Sequence, residues 1–584
     1  MKTIARLTKF VQQYWPMLVV AFFCQVFATA FGIVIPRMLG EGIDTVLGSQ
    51  DRGYIIVAAV VVLAAGLLRG AAMYGNRYFS EVMSQKVSYN IRNALYDRLQ
   101  RLSFQFHDEN QTGQLMSRAT VDVEATRMFF AMGLLGIIQV MLMYFGVSYM
   151  ILSINWQLGL IVLAFTVPVA FLATGFGRRI RPIWLRVQTM LGIMGTTLEE
   201  SLAGVGVVKA FSQQKSEAKK FSGQAKTLYD EQISAARLMA ITWPIMVVLV
   251  SIPTILILWY GGTQVINGAM SVGEMTAFIL YLGLLMMPMR QLGMMVNLYS
   301  RTISAGQRIL EILDTESKVL EKPGAIDIGR VRGQVTFENV SFSYDQISPA
   351  LKNVSFDVKP GQLVALLGGS GSGKSTVANL LARFYDVSDG KICVDGYDIR
   401  DITLASLRRN VVTAQQDVFL FSSSIKENIA YGDIDASMDE IIAVSKAAQL
   451  YDFVQALPDG YDTWVGERGD TLSGGEKQRL SIARTLLVNP SVLILDDSTA
   501  SVDSETEKLI RQALNELIKN RTTFIITHRL ALIKNADLIL MFQDGELVEQ
   551  GQHEDLMAKN GVYRTAYETQ LMVDQESELI QEEQ

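Results

Sequence analysis

Two stretches of this 584-residue chain hold residue types whose spacing suits phosphate chemistry. The first, "LVALLGGSGSGKSTVANLLARF", Leu363 to Phe384, reads as an apolar strand, a Gly-rich turn and a helix. It fits G-x-x-x-x-G-K-[ST] in the context that pattern requires. Gly368, Gly371 and Gly373 let the backbone curl its amides around phosphates, and the helix N-terminus adds favourable potential. Gly369, Ser370 and Ser372 complete the loop, and Thr376 follows it. Lys374 is spaced to reach the β and γ phosphates, and the Ser375 hydroxyl to ligate Mg2+. The second stretch, "VLILDDSTASVD", Val492 to Asp503, is an apolar strand ending in two adjacent carboxylates. A loop that grips phosphates in this way works with a strand-end acid on the Mg2+ site, and Asp496 supplies it. Asp497, next to it, poses the question of what a second acid does there.

The elements that position these residues fill only the second half of the chain. Hydrophobic residues make up 49% of the whole, charged residues 19%, and mean hydropathy is +0.24, too apolar for a soluble protein of this length. Long apolar runs occupy the first half, and charges and turn residues become dense after about Arg301. Windows of roughly 20 apolar residues give six candidate membrane spans. They lie near 15 to 40, 54 to 75, 128 to 153, 156 to 178, 238 to 265 and 274 to 298. Two long polar stretches separate the second span from the third and the fourth from the fifth, and both are rich in Arg and Lys. The three other connections hold only Arg52. By the positive-inside rule the basic stretches and both termini face the cytoplasm. The N-terminal apolar run is too long for a cleaved signal and reads as a retained anchor. The expected organisation is a membrane domain over 1–310 with cytoplasmic loops at about 80–127 and 179–237, then a linker at 311–330. A nucleotide domain follows over 331–570, and an acidic tail expected to be disordered over 571–584. A net charge of −6 disfavours nucleic acid as a partner. Cys24 and Cys393 read as packing residues.

Between the two phosphate-directed stretches lies "TLSGGEKQRLSIARTLL", Thr471 to Leu487. It resembles the signature motif of ATP-binding cassette (ABC) transporters, usually LSGGQ and here LSGGE. The resemblance implies that the Ser473 hydroxyl and the amides of Gly474 and Gly475 sit at a helix N-terminus as a γ-phosphate clamp, with Glu476 in place of Gln. In this family the clamp acts on ATP held by the opposite subunit. Tyr344, in "FSYD", matches the aromatic that stacks on adenine. Gln416, in "TAQQDVFLF", matches the Q-loop glutamine that touches Mg2+ or the attacking water, ahead of Gln415 because Asp417 follows it. "GERG", Gly466 to Gly469, resembles the cross-talk loop of exporters, Asp503 matches the D-loop, and His528, in "FIITHRL", the switch histidine. In the first half, "LSFQFHDENQTGQLMSRATVDVEA" and "EESLAGVGVVKAFSQQKSEAKKF" resemble coupling-helix regions of ABC exporters. The chain therefore looks like an exporter half-transporter. The implied fold is a polytopic α-helical membrane domain of six transmembrane helices followed by an α/β P-loop ABC ATPase domain. The resemblance also implies ATP and Mg2+ as cofactors and a multi-pass place in the cell membrane.

In such proteins the residue after the Mg2+-linked Asp is usually Glu, the general base or water-positioning group. Asp497 withdraws that carboxylate by roughly 1.5 Å, about one C–C bond, and a misplacement near 1 Å can cost about 100-fold in rate. The resemblance includes heterodimeric exporters in which one chain has Asp here and its partner has Glu. A second half-transporter is therefore the expected partner, the heterodimer favoured over the homodimer, with this chain's own site slow. Met286, Met287, Met289, Met294 and Met295 crowd the last span and suit either an adaptable apolar ligand surface or plain packing. The resemblance points to ATP-driven export of hydrophobic or amphipathic drugs across the cytoplasmic membrane by alternating access, with the lipid bilayer as a further partner. Lipid or lipopeptide export by a homodimer is the alternative, and an ATP-gated channel or regulator stands behind it.

Overall fold

The apolar windows of the first half fold into helices much longer than a bilayer is thick. The computed structural model describes residues 2–49, 52–345, 347–414, 418–497, 504–527 and 530–571. Among these residues five helices are long and apolar enough to cross a membrane: Trp15–Gly48, Ile55–Arg101, Thr112–Ile154, Trp156–Ala203 and Gln214–Ile266. They hold 34 to 53 residues, whereas a bilayer core takes about 20. Their basic ends therefore run on beyond the apolar part. The sixth expected span lies in the helix Val272–Asp314, whose described apolar stretch is the shorter Val272–Leu285. Of the methionines in this helix, Met295 is described, and it packs where a Cβ at Gly136 would stand, 2.9 Å from its Cε. The side chains of Met286, Met287, Met289 and Met294 lie outside the described set.

Capping residues set the breaks between these helices. Asn155 ends one helix and starts the next, its side chain accepting from the Leu158 amide at 3.0 Å. Ser271 and Glu274 form a reciprocal capping box at the start of Val272–Asp314. Asp44, on Trp15–Ser49, reinforces that helix start by accepting from the Gly273 amide at 2.7 Å and from the Ser271 hydroxyl. A negative group at a helix N-terminus is stabilising. The two helices approach at Gly40 and Gly273, where a Cβ on Gly273 would lie 1.9 Å from the Gly40 carbonyl oxygen. Near the other end, ion pairs tie the helices together: Arg127 to Glu81 and Glu124, Arg308 to the buried Asp122, and Arg118 to Glu311.

By internal contacts the chain divides into two units, Met1–Gln100 with Thr112–Thr315, and Arg101–Gln111 with Glu316–Gln584. The first unit thus runs past the boundary expected at 310, because the last helix continues to Asp314. It also gives up Arg101–Gln111, whose side chains pack within the second unit.

The second unit holds two sheets. An antiparallel sheet has the order β2 (Pro349–Val358), β1 (Val335–Ser343), β4 (Asp389–Val394), β5 (Tyr397–Asp398). A six-stranded sheet has the order β10 (Glu546–Gly551), β9 (Leu538–Gln543), β3 (Leu363–Gly368), β8 (Thr522–Thr527), β7 (Val492–Asp497), β6 (Val411–Ala414). Its strands β9, β3, β8, β7 and β6 run parallel, and β10 is an antiparallel edge. Every residue of β8 is buried, as expected of a strand covered on both faces. Val364, Leu366 and Phe524 face one hydrophobic core, and Ala365, Leu495 and Ile525 face the other.

Candidate functional site

The strand order brings the two phosphate-directed stretches together. Both β3 and β7 pair with β8, and the register aligns Leu366 with Ile526 and Ile526 with Asp496. The acid therefore stands one strand away from the end of β3, at the carboxyl edge where ligands of open parallel sheets bind. Asp496 is half-buried. Asp497 continues β7 in unbroken register, paired with Thr527, and is described at its backbone only.

The loop after β3 is tightly packed on one side and open on the other. Gly368 has φ 143°, and a Cβ there would meet the Phe542 carbonyl oxygen at 2.3 Å. Gly373 has φ 106°, and its Cβ would meet Leu351 Cδ2 at 2.7 Å. Only glycine fits such positions without strain. At Gly369 and Gly371 nothing lies within 4 Å, so these residues leave room for a ligand against the loop. The helix Lys374–Leu381 begins at once, aiming its N-terminus at that space. Lys374 Nζ donates to the carbonyl oxygens of Gly368 at 2.8 Å and Gly369 at 2.7 Å. Burial lowers the pKa of its ammonium, and the nearby Asp496 carboxylate opposes that shift. Ser370 and Ser375 are exposed, while Ser372 and Thr376 are buried. A magnesium nucleotide fits this donor set: a cradle of amides, one lysine, one hydroxyl and one strand-end acid.

Tyr344, just past β1, is 40% exposed. Its hydroxyl lies 3.3 Å from Thr376 Oγ1 and 3.5 Å from Asn379 Nδ2, both on the helix that starts at Lys374.

Ser473 is the N-cap of the helix Gly474–Val488. Its hydroxyl accepts from the Glu476 amide at 3.4 Å, and the Glu476 carboxylate accepts from the Ser473 amide at 2.7 Å. Glu476, which departs from the usual Gln, thus has a local role in closing a capping box. The pattern S-x-x-E at 473–476 carried that signal, and the likeness to LSGGQ hid it. The two glycines differ. At Gly475 a Cβ would meet Thr506 Cγ2 at 2.1 Å, whereas at Gly474 nothing lies within 4 Å. Gly475 serves packing against the helix Ser504–Ile518, and Gly474 keeps the cap open. In the "GERG" segment Arg468 has φ 53° and Gly469 φ 76°, which turn the chain tightly ahead of Ser473.

Gln416 and its neighbour Gln415, Asp503 and His528 lie outside the described residues, as does the tail beyond 571. Sequence reasoning missed Phe384 and Tyr385, which hold the short helix Phe104–Glu109 within the second unit.

Membrane-length helices and a magnesium-nucleotide cradle on one chain are the working parts of an ATP-powered membrane transporter. Residues 18–289 match the family described as ABC transporter transmembrane region, and residues 351–500 the family described as ABC transporter. The ABC transporter ATP-binding protein YknU of Bacillus subtilis (strain 168) is 37% identical over 576 residues, 98% of each chain. The ATP-dependent lipid A-core flippase of Syntrophus aciditrophicus (strain SB) is 34% identical over 578 residues, 99% of this chain and 96% of the flippase. A solved structure of a bacterial Atm1-family ABC exporter with ATP bound superposes with a TM-score of 0.76 at 29% identity, covering 95% of this chain and 98% of that one. The chain belongs to the ABC exporter family, with its transmembrane and ATP-binding domains fused. It is a multi-pass membrane protein with a cytoplasmic nucleotide-binding domain and an ATPase coupled to transport, using ATP with Mg2+. Half-transporters of this kind dimerise and act on membrane-embedded substrates.

Proposed function

We propose that this chain is the slow-site half of a heterodimeric exporter of amphipathic, membrane-partitioning drugs. The observation that carries the reading is the regular pairing of Asp496 with Ile526 and Asp497 with Thr527. The backbone register is regular here, and an aspartate is one methylene shorter than the glutamate usual at this position. Binding residues are retained, so this site holds ATP longer than it cuts it.

In this reading Tyr344 stacks on adenine, and the loop Gly368–Thr376 with Lys374 holds the phosphates. Ser375, Gln416 and Asp496 hold Mg2+, which neutralises charge on the phosphates. Asp497 and His528 address the γ-phosphate and its water, and Asp503 lines the composite site. Ser473, Gly474 and Gly475 close on the partner's ATP. Two bound ATPs join the nucleotide domains, the membrane helices turn outward, and hydrolysis at the partner's P-loop resets the pump.

The test compares ATP hydrolysis by the chain alone, with a partner bearing Glu after its strand-end Asp, and with that Glu changed to Gln. Slow turnover alone, fast turnover with the partner and loss with the Gln variant are expected. Robust hydrolysis by the chain alone removes the heterodimer, and bound ATP without hydrolysis in any combination points to an ATP-gated channel or regulator. A second reading, lipid export, is favoured by the flippase relative, which aligns along 99% of this chain. Vesicle uptake assays with a fluorescent phospholipid and a cationic dye decide between these cargos.

A further inference from the structure

The helix Phe104–Glu109 is held within the nucleotide-binding unit by contacts of two kinds. The first kind is simple docking. Phe104 stacks on Phe384 with ring centroids 4.4 Å apart and planes at 25°, and Glu109 pairs with Lys318 at 3.8 Å. The second kind converges on Tyr344. Gln105 Nε2 donates to the Tyr344 carbonyl oxygen at 3.4 Å. Asp108 accepts a hydrogen bond from the Tyr385 hydroxyl, and the buried Tyr385 ring meets the Tyr344 ring edge-on, with centroids 5.1 Å apart and planes at 87°. Tyr344 in turn reaches Thr376 on the helix that follows the phosphate loop. Burial first, and then the Asp108 carboxylate, push the Tyr385 phenol above its ordinary pKa, so it stays a donor at physiological pH.

Docking alone does not explain the second kind of contact. Phe104 and Glu109 already fix the helix at its two ends, yet Gln105 and Asp108 add links that lead to one exposed ring. A charge-assisted bond from a buried phenol is also among the stronger hydrogen bonds a protein makes. We propose that Tyr385 is a positioning residue that ties purine stacking on Tyr344 to the seating of the Phe104–Glu109 helix. Its ring sets the Tyr344 face, and its hydroxyl holds Asp108. The base of the nucleotide, and not its phosphates, is then what this helix reads: a bare triphosphate satisfies the loop around Lys374 but leaves the helix unseated. This rests on the reading of Tyr344 as the base-stacking residue.

The test follows hydrogen exchange in the peptide covering 102–111 of the full chain in lipid nanodiscs, with saturating Mg2+-ATP or Mg2+-tripolyphosphate. In the unmodified protein ATP slows exchange by roughly fivefold more than tripolyphosphate, the equilibrium factor of one net hydrogen bond. Tyr385→Phe keeps the ring and loses that difference. Asp108→Ala changes an exposed residue, so folding is preserved, and it too loses the difference while ATP affinity is kept. Equal protection by ATP and tripolyphosphate in the unmodified protein overturns the proposal, as does full ATP-specific protection in both variants. Tyr344→Ala separates the underlying reading: unchanged ATP affinity there defeats base stacking on Tyr344, whatever the exchange data show.

Discussion

Aspartate is shorter than glutamate by one methylene, roughly 1.5 Å, about one C–C bond, and in the proposed reading that difference at Asp497 slows hydrolysis at this chain's own site. Asp497→Glu is expected to raise hydrolysis at this chain's own site by about 10- to 100-fold. ATP affinity stays unchanged, because the cradle formed by Gly368 to Lys374 is untouched. Single-turnover phosphate release beside equilibrium nucleotide binding checks both halves of that statement. Glu476 calls for the opposite kind of change. Its carboxylate caps Ser473, yet it also sets a negative charge beside a helix N-terminus that in the proposed dimer receives a phosphate. Glu476→Gln retains an acceptor for the Ser473 amide and removes the charge. In the dimer it is expected to tighten ATP at the partner's P-loop by about two- to fivefold, the factor of one helix-terminus interaction. Titration with a fluorescent ATP analogue reads the shift, and a loss of affinity would show that the charge is no burden there.

Among the elements, the helix Gly474–Val488 separates fold from function within two adjacent residues. Gly475→Ala drives a Cβ into Thr506, 2.1 Å from its Cγ2, and overpacking of this kind costs about 1–3 kcal/mol. Gly474→Ala meets nothing within 4 Å, so the melting temperature of the purified chain should fall for the first variant and hold for the second. Equal melting temperatures would mean that the helix Ser504–Ile518 yields easily. The same helix shows what sequence can and cannot carry. Its start was legible from the local run Leu472 to Glu476, through its likeness to the signature motif, although the capping box written within Ser473 to Glu476 was passed over. The phosphate loop was legible for the same reason, with strand, turn and helix in one run of residues. The membrane helices followed from apolar windows, which need no tertiary partner to be recognised. Contacts made across long separations were not legible. Asp44 meets Gly273 across 229 positions and Asp108 meets Tyr385 across 277. An acid and a glycine so far apart carry no pattern, and only the folded chain brings them within a hydrogen bond.

For the whole molecule, the consequence of the proposed arrangement is that one chain serves two different ATPs. In the proposed dimer its Lys374 and Asp496 address the nucleotide it binds, and its Ser473 and Gly474 address the nucleotide its partner binds. A change in one chain is therefore not a change in one site. If the partner carries Glu where this chain carries Asp497, nearly all turnover passes through the partner's P-loop and this chain's signature helix. Gly474→Ala in this chain should then lower steady-state hydrolysis by about tenfold or more, because the amide is kept but the added methyl enters the space left open at Gly474 and displaces the transferring phosphate from its donors. Asp497→Asn should change it by less than about twofold, since the slow site contributes little to the sum. A homodimer predicts a different pattern. Both sites would carry both changes, and because Asp497 would then be the working base, Asp497→Asn would suppress turnover at least as strongly as Gly474→Ala. The ratio of the two effects, measured on one preparation in lipid vesicles, distinguishes an unequal pair from an equal one without knowledge of the cargo.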